Sequence, residues 1–121
     1  MTARRVSFGI NPIKAAPKYR NRRTVLDGIK FASQAEARRY TQLKLLERNG
    51  EVRDIKLQVP YRLEVAGILV CKYIADFVYE EKRKGEWASV TEDCKGYLTP
   101  MYRLKKKLLR ATHGIELRES K

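Results

Sequence analysis

Alternating apolar and polar positions in the middle of the chain predict three β-strands. Apolar side chains recur at every second position over about residues 57–65, 69–79 and 87–95, the spacing of strands with one buried face. Gly67 and the polar segment 80–86 separate these stretches and are predicted as turns. The second and third strands are thus placed to form a hairpin.

A first helix is predicted upstream of these strands. It begins at Ser33, whose "SQAE" sequence has the form of a capping box, and runs to about Asn49, before Gly50. Its apolar stripe consists of Tyr40, Leu43 and Leu46. Glu36 falls inside this stripe rather than opposite it, so its carboxylate is expected to face the core. The capping box explains Glu36 equally well without any other role.

A hairpin and a second helix complete the element order. Asp27-Gly28 lies between two short β-prone runs, as in a tight hairpin turn. The second helix is predicted to start with Thr99 as N-cap and Pro100 at its first position, and Gly114 could end it. A short last strand is predicted over 114–117. The order hairpin-α-β-β-β-α-β indicates an α/β fold.

Composition adds a strong positive charge to this picture. The chain has 121 residues, which suggests one domain, and carries a net charge of +13 with a pI near 10.0. Such a charge favours a polyanionic partner, with nucleic acid first and an anionic membrane surface second. The membrane is disfavoured because no basic amphipathic helix with an aromatic apolar face stands out.

The positive charge is concentrated in residues 1–23, which are predicted to form a flexible N-terminal arm before a single domain over 24–121. The arm contains Pro12 and Pro17, no acidic residue, and too few apolar residues to fold alone. Its basic residues are Arg4, Arg5, Lys14, Lys18, Arg20, Arg22 and Arg23. The arm either solubilises the protein or contacts phosphates and becomes ordered on binding.

The two cysteines, Cys71 and Cys94, argue against a zinc site or a disulfide framework because they lack CxxC spacing. Both fall in predicted strands, where cysteine behaves as a small buried hydrophobic residue. A reducing cytoplasm fits this pattern.

Two aspartates fall where neighbouring strands would lie side by side. Asp76 stands in the apolar run of the second strand, and Asp93 shares one face of the third strand with Lys95. A hairpin between the strands makes Asp76 and Asp93 near neighbours. Two carboxylates about 4 Å apart repel by roughly 4 kcal/mol at an effective dielectric constant of ~20, so the pair needs a shared proton, a basic partner or a cation.

A divalent cation would relieve this repulsion more fully than a lysine. Lys95 can neutralise one charge, whereas a divalent ion neutralises two, and carboxylates, a backbone carbonyl and waters suit magnesium or manganese. Glu36 could add a third carboxylate. Such a cluster suits phosphodiester hydrolysis, because a metal lowers the pKa of a bound water while a lysine orients the nucleophile or offsets charge.

Simpler explanations exist for each of these residues. Asp76 could form a salt bridge at a strand edge, and Asp93 with Lys95 could lie on a solvated face. Neither explanation accounts for both features on adjacent strands. On the second helix, a solvated face or a phosphate-contacting surface fits equally well for Tyr102, Lys105 and Lys106.

The ordered set of Asp76, then Asp93-Cys94-Lys95, with Glu36 upstream on a helix, resembles the PD-(D/E)XK nuclease superfamily. The order α-β-β-β-α-β is also that of its core, a central mixed sheet flanked by helices. More closely, "FASQAEARRY", "YIADFVYEE", "VTEDCKGYLTPMYRLKKKLL" and the "KYRNRRT" arm resemble small phage-encoded proteins regarded as endonucleases of this superfamily. The likeness covers roughly residues 18–117, and Ala75 stands where the superfamily pattern has proline.

The resemblance implies a metal-dependent DNA endonuclease. Asp76 and Asp93 would be metal ligands, with the backbone carbonyl of Cys94 as a third and Glu36 as the helix carboxylate of some branches. Lys95 would position the attacking water or stabilise charge. A metal-activated water would then attack the phosphodiester in line and leave a 5′-phosphate, with branched or recombination DNA as the expected substrate. The expected nucleic-acid contacts are Lys18, Arg20, Arg22, Arg23, Tyr102, Lys105 and Lys106.

Two rival functions share the basic surface. One is a non-catalytic DNA-binding protein of phage recombination or packaging, and the other is a basic RNA-binding protein. Neither explains Asp76 together with Asp93 and Lys95. The nuclease interpretation also predicts a cytoplasmic protein, in the bacterial host if phage-encoded, and it allows a homodimer because resolvases of this type are usually dimers.

Overall fold

The computed structural model describes residues 24–95 and 97–120, which fall into two units that meet at Gln34 and Ala35. The first unit contains the antiparallel strands β1 (Thr24–Leu26) and β2 (Ile29–Phe31). The turn between them has φ of 54° at Asp27 and 75° at Gly28, both left-handed as tight hairpins require, so the predicted hairpin is confirmed. The predicted basic arm, residues 1–23, lies outside the described residues.

A mixed four-stranded sheet and two helices form the second unit. Its elements are α1 (Gln34–Arg48, which starts at the junction of the units), β3 (Val52–Val65), β4 (Ile68–Arg83), β5 (Glu86–Cys94), α2 (Pro100–His113) and β6 (Leu117–Ser120). The strand order is β3-β4-β5-β6, with antiparallel pairing except between β5 and β6, which are parallel. The predicted α/β class and element order are confirmed.

The hairpin between β4 and β5 is longer and tighter than predicted. The turn is only Lys84-Gly85, with φ of 48° and 80°, and the strands continue through most of the polar segment 80–86. Charged and aromatic neighbours stabilise this polar part: the Arg53 guanidinium pairs with Glu80 and stacks 4.2 Å from the Trp87 ring centroid. The prediction of a seven-residue turn was wrong because it treated charge as a turn signal.

The last strand also differs from its predicted position. It begins at Leu117 rather than Gly114, because Gly114 adopts φ 69° and its N–H donates to the carbonyl of Arg110, ending α2. The start of α2 is as predicted: Pro100 follows Thr99, whose Oγ1 accepts a 3.0 Å hydrogen bond from the Tyr102 backbone N–H.

α2 packs against the sheet through an apolar cluster. Its members are Leu63, Tyr73, Ala75, Tyr102, Leu109 and Leu117, each no more than 8 % exposed. The cluster packs α2 against β3 and the middle of β4, next to Asp76. Within the described ranges, neither helix is both long enough and apolar enough to cross a membrane.

Candidate active site

The predicted aspartates lie where β4 and β5 separate. Regular pairing ends at Phe77 and Glu92. Beyond that point the backbone N–H of Asp76 donates to Asp93 Oδ1 at 2.9 Å, and the N–H of Cys94 donates to Asp76 Oδ2 at 3.0 Å. Each carboxylate therefore satisfies a backbone donor of the opposite strand, and this exchange holds the two side chains together.

Asp93 is buried rather than solvated. Its exposure is 1 %, and Oδ2 accepts a hydrogen bond from the Tyr73 hydroxyl and lies 3.3 Å from Lys95 Nζ. Burial and the adjacent Asp93 carboxylate raise the pKa of the Tyr73 hydroxyl, which keeps its proton as donor. The explanation of Asp93 as part of a solvated strand face is therefore wrong.

Glu36 joins the two aspartates from the first turn of α1. It is buried, and its pKa is raised by that burial and by the nearby Asp93 charge, with Lys95 acting in the opposite direction. We call Glu36, Asp76 and Asp93 the acidic cluster. The Glu36 carboxylate interacts electrostatically with both Asp93 and Asp76.

Asp76 shows the strongest electrostatic effect in the acidic cluster. Burial and the Asp93 charge, with a further contribution from Glu36, raise its pKa to about 7, although the hydrogen bond from the Cys94 N–H opposes this. Its second oxygen, Oδ1, accepts a 3.3 Å hydrogen bond from Gln58 Nε2. Among the described residues Asp76 forms no salt bridge, and near neutral pH it is partly protonated.

Lys95 is held between the acidic cluster and an aromatic ring. Its ammonium lies 4.8 Å from the centroid of the Tyr102 ring. The Tyr102 hydroxyl donates to Glu119 Oε2 at 2.7 Å, and Lys106 Nζ lies 3.1 Å from the same oxygen. Tyr102 is only 6 % exposed. Tyr102 therefore supports Lys95 through its ring and offers little surface for the predicted contact with phosphate.

The remaining predicted nucleic-acid contacts are distributed differently. Lys105 and Lys106 are half-buried on α2, and Lys106 is bound to Glu119. The predicted contacts of the arm, Lys18, Arg20, Arg22 and Arg23, lie outside the described residues.

Cys94 contributes its backbone rather than its thiol. The thiol lies 3.3 Å from Ser120 Oγ, and burial raises its pKa to about 11 despite that contact. A thiol so reluctant to ionise is a poor nucleophile. Cys71 and Cys94 are both free cysteines.

Glu92 is a structural residue whose importance the sequence did not reveal. It is completely buried, and it accepts hydrogen bonds from Arg39 Nε at 2.6 Å, Ser120 Oγ at 2.7 Å and the Tyr79 hydroxyl. Burial alone would raise the pKa of Glu92, but the bonds from Arg39, Tyr79 and Ser120 outweigh it and lower the pKa. The ion pair between Arg39 and Glu92 links α1 to β5 directly beside Asp93.

Tyr73 and Glu119 are further neighbours of the site that sequence reasoning missed. Tyr73 occupies an apolar position of an alternating strand, and this pattern does not distinguish it from a core tyrosine. Glu119 lies in β6, whose position was predicted three residues too early.

The donor set suits a hard divalent cation in chemistry and charge. Asp76 and Asp93 lie together beside the Lys95 ammonium, and Glu36 interacts electrostatically with Asp93 and Lys95. Carboxylate oxygens are the ligands that magnesium and manganese prefer. As the side chains stand in residues 24–95 and 97–120, no three from histidine, cysteine, aspartate and glutamate converge closely enough to hold an ion.

Fold and site together define a small mixed α/β protein with buried carboxylates and a lysine where two strands separate. A family model matches residues 16–120, so the chain belongs to the family described as protein of unknown function DUF1064. No curated protein and no solved structure matches the chain.

Proposed function

We propose that this protein is a metal-dependent DNA endonuclease of the PD-(D/E)XK type. The observation that carries the proposal is the acidic cluster with Lys95 beside it, at the point where β4 and β5 part. A structural salt bridge would neutralise these carboxylates. Here Asp76 and Asp93 lie together beside one lysine, and Asp76 has a pKa of about 7. A strongly shifted pKa beside a second carboxylate is typical of functional sites.

Asp76 and Asp93 would hold the metal, magnesium or manganese, together with the backbone carbonyl of Cys94 and with Glu36 as a further carboxylate. When bound, the ion would lower the pKa of a coordinated water and offset charge on the scissile phosphate.

Lys95 has the second role in this mechanism. Its ammonium, 3.3 Å from Asp93 and stacked on Tyr102, is fixed in position and only one-third exposed. A cation fixed in a site that is partly shielded from solvent can orient the attacking water and stabilise the charge that develops on the phosphate. Attack on phosphorus would break the bond to the 3′ oxygen and leave a 5′-phosphate.

The whole-chain properties agree with this function. A net charge of +13 favours a nucleic-acid substrate, and we propose DNA, including branched or recombination intermediates. The two free cysteines fit a reducing cytoplasm. A homodimer is the assembly we propose for cutting two strands.

Cleavage of supercoiled plasmid and of a synthetic four-way junction tests the proposal. We expect nicking in magnesium or manganese, none in chelator, and a loss of at least about a hundredfold in Asp93→Asn. Asp54→Asn is the matched control, because Asp54 is an exposed aspartate of the same unit. Metal-independent binding without nicking, unchanged in Asp93→Asn, would identify a non-catalytic binder instead.

Metal binding can be measured separately from activity. Magnesium should raise the Tm of the wild-type protein, since a ligand that binds only the folded state stabilises it. The rise should be absent in Asp93→Asn and retained in Asp54→Asn.

A further inference from the structure

A groove runs along α2 beside the segment that leads into β6. Its volume is about 460 Å³, and its basic lining residues are Arg103, Lys106, Lys107 and Arg110. Leu98 and Ile115 contribute apolar surface to the same groove. Its lining therefore combines basic and apolar side chains, and we call Arg103, Lys106, Lys107 and Arg110 its cationic rim and Leu98 with Ile115 its apolar floor.

The rim carries more positive charge than its neighbours neutralise. Among the described lining residues the one acidic side chain is Glu116, 3.5 Å from Arg110, and Lys106 is bound to Glu119. Arg103 and Lys107 are both exposed and lie one turn apart on α2, about 6 Å along the helix axis. Two exposed cations one helical turn apart can contact neighbouring phosphates of a nucleic-acid backbone.

The apolar floor indicates which form of nucleic acid fits. A duplex keeps its base faces stacked inside and offers phosphates and sugars to a protein surface. A single strand exposes base faces, and proteins bind it by combining a cationic track with apolar or aromatic surface for the bases. Leu98 and Ile115 provide such surface beside Arg103 and Lys107.

We propose that this groove binds a single-stranded segment of DNA, with phosphates on the α2 cations and base faces on the apolar floor. This inference rests on the proposed function for the choice of DNA over RNA. It assigns the substrate class as DNA that contains an unpaired segment. The groove also connects to the acidic cluster. Lys106 binds Glu119, which accepts the Tyr102 hydroxyl, and the Tyr102 ring faces Lys95.

Fluorescence anisotropy with the full chain in chelator tests the groove without any contribution from catalysis. The probes are a labelled oligothymidylate and a duplex of the same length. Arg103→Glu with Lys107→Glu should weaken single-strand binding at least about tenfold and flatten its salt dependence, because two phosphate contacts are lost. The control is Lys56→Glu with Lys72→Glu, the same charge change at two exposed positions of β3 and β4. Equal losses in both double variants would overturn the proposal.

A second variant tests the apolar floor. Leu98→Asn keeps every charge, so it should weaken oligothymidylate binding several-fold and leave duplex binding unchanged. An equal effect on both probes, or on neither, would overturn the assignment of a single strand. Groove binding without nicking would defeat the proposed function alone, and nicking without groove binding would defeat this inference alone.

Discussion

Asp76 opposes folding in the metal-free protein at neutral and alkaline pH. Its pKa in the folded state is about 7 against an ordinary value of 3.8, mainly because of burial and then because of Asp93. The unfolded chain releases this proton more readily than the folded chain does. Its contribution to stability is therefore full below about pH 3.8 and is lost as the pH rises through about 7.

Asp76→Asn should consequently stabilise the protein in chelator. Asparagine removes the charge and keeps an oxygen that can accept from the Cys94 N–H. We expect the Tm to rise by roughly 3 to 6 °C near pH 8, since about 1 kcal/mol shifts a domain of this size by that much, and to change little near pH 5. Scanning calorimetry at the two pH values measures this. Equal shifts at both would contradict the charge argument, and Asp54→Asn should shift neither.

Lys95 should be required for cleavage and not for binding. Lys95→Met keeps the length of the side chain and removes the cation that lies between Asp93 and the Tyr102 ring. We expect nicking to fall by about 10² to 10³, the cost of removing one charge-stabilising donor, while DNA affinity changes less than about threefold. Lys72→Met, at an exposed lysine of β4, serves as control. A parallel loss of affinity and nicking would instead make Lys95 a binding residue.

Among single residues, the sequence predicted the ionisable side chains of the site better than the neighbouring side chains that hold them. Asp76 interrupts the apolar run of its strand, and Asp93 with Lys95 falls on the neighbouring strand beside it, so these residues were identifiable. Tyr73 satisfies the alternation as any core tyrosine would. Its bond to Asp93 depends on the distance between β4 and β5 where they part, which no local pattern records.

The element that organises the site is β5, because its C-terminal half is buried on both faces. Glu92 binds Arg39 of α1, and the next residue, Asp93, joins Asp76 of β4. Both side chains are at most 1 % exposed. The buried Glu92–Arg39 pair therefore fixes the strand on which Asp93 and Lys95 are placed.

Breaking that pair should destabilise the fold strongly. Glu92→Leu leaves the Arg39 guanidinium, whose side chain is 20 % exposed, without its partner, and we expect a loss of about 3 to 5 kcal/mol in the free energy of unfolding. Urea denaturation measures the loss. Adding Arg39→Met to Glu92→Leu should recover most of it, since two apolar side chains can replace a buried ion pair.

The surface pair Glu47–Lys44 provides the comparison for this experiment. Both side chains are well exposed and lie three residues apart on α1, so Glu47→Leu should change the free energy of unfolding by less than about 1 kcal/mol. A double variant of Arg39 and Glu92 as unstable as Glu92→Leu alone would mean that packing, not the unpaired charge, causes the loss.

Elements with local signals were predictable, and those set by long-range pairing were not. The limits of α2 are set by Thr99 and Pro100 at its start and by Gly114 at its end, through capping interactions that act within one turn. β6 forms instead by parallel pairing of Leu117 with Thr91. This partner is distant in sequence, so the short segment 114–117 gave no reliable boundary.

At the scale of the whole molecule, the long β3–β4 hairpin ends in an exposed apolar surface. β3 lies at an edge of the sheet, and within the described residues it pairs only with β4. Ile68, Val70 and Ile74 of β4 are 68 %, 53 % and 53 % exposed, and the pairing with β3 is irregular between Leu63 and Glu64. Val65 at the end of β3 is 46 % exposed. Edge strands and apolar patches of this kind favour self-association.

The proposed homodimer should therefore depend on the hairpin. A second copy of the same hairpin can bury these residues on both chains at once, because a two-fold interface places one patch against itself. We expect sedimentation equilibrium to show a dimer for the wild-type protein and a monomer for Ile68→Lys with Val70→Lys. Leu45→Lys, a change at an apolar residue of α1 that is 52 % exposed, should leave the dimer intact. A monomeric wild-type protein, or a dimer unaffected by the hairpin substitutions, would contradict this assembly. Two acidic clusters would then not be brought to one DNA substrate through this surface.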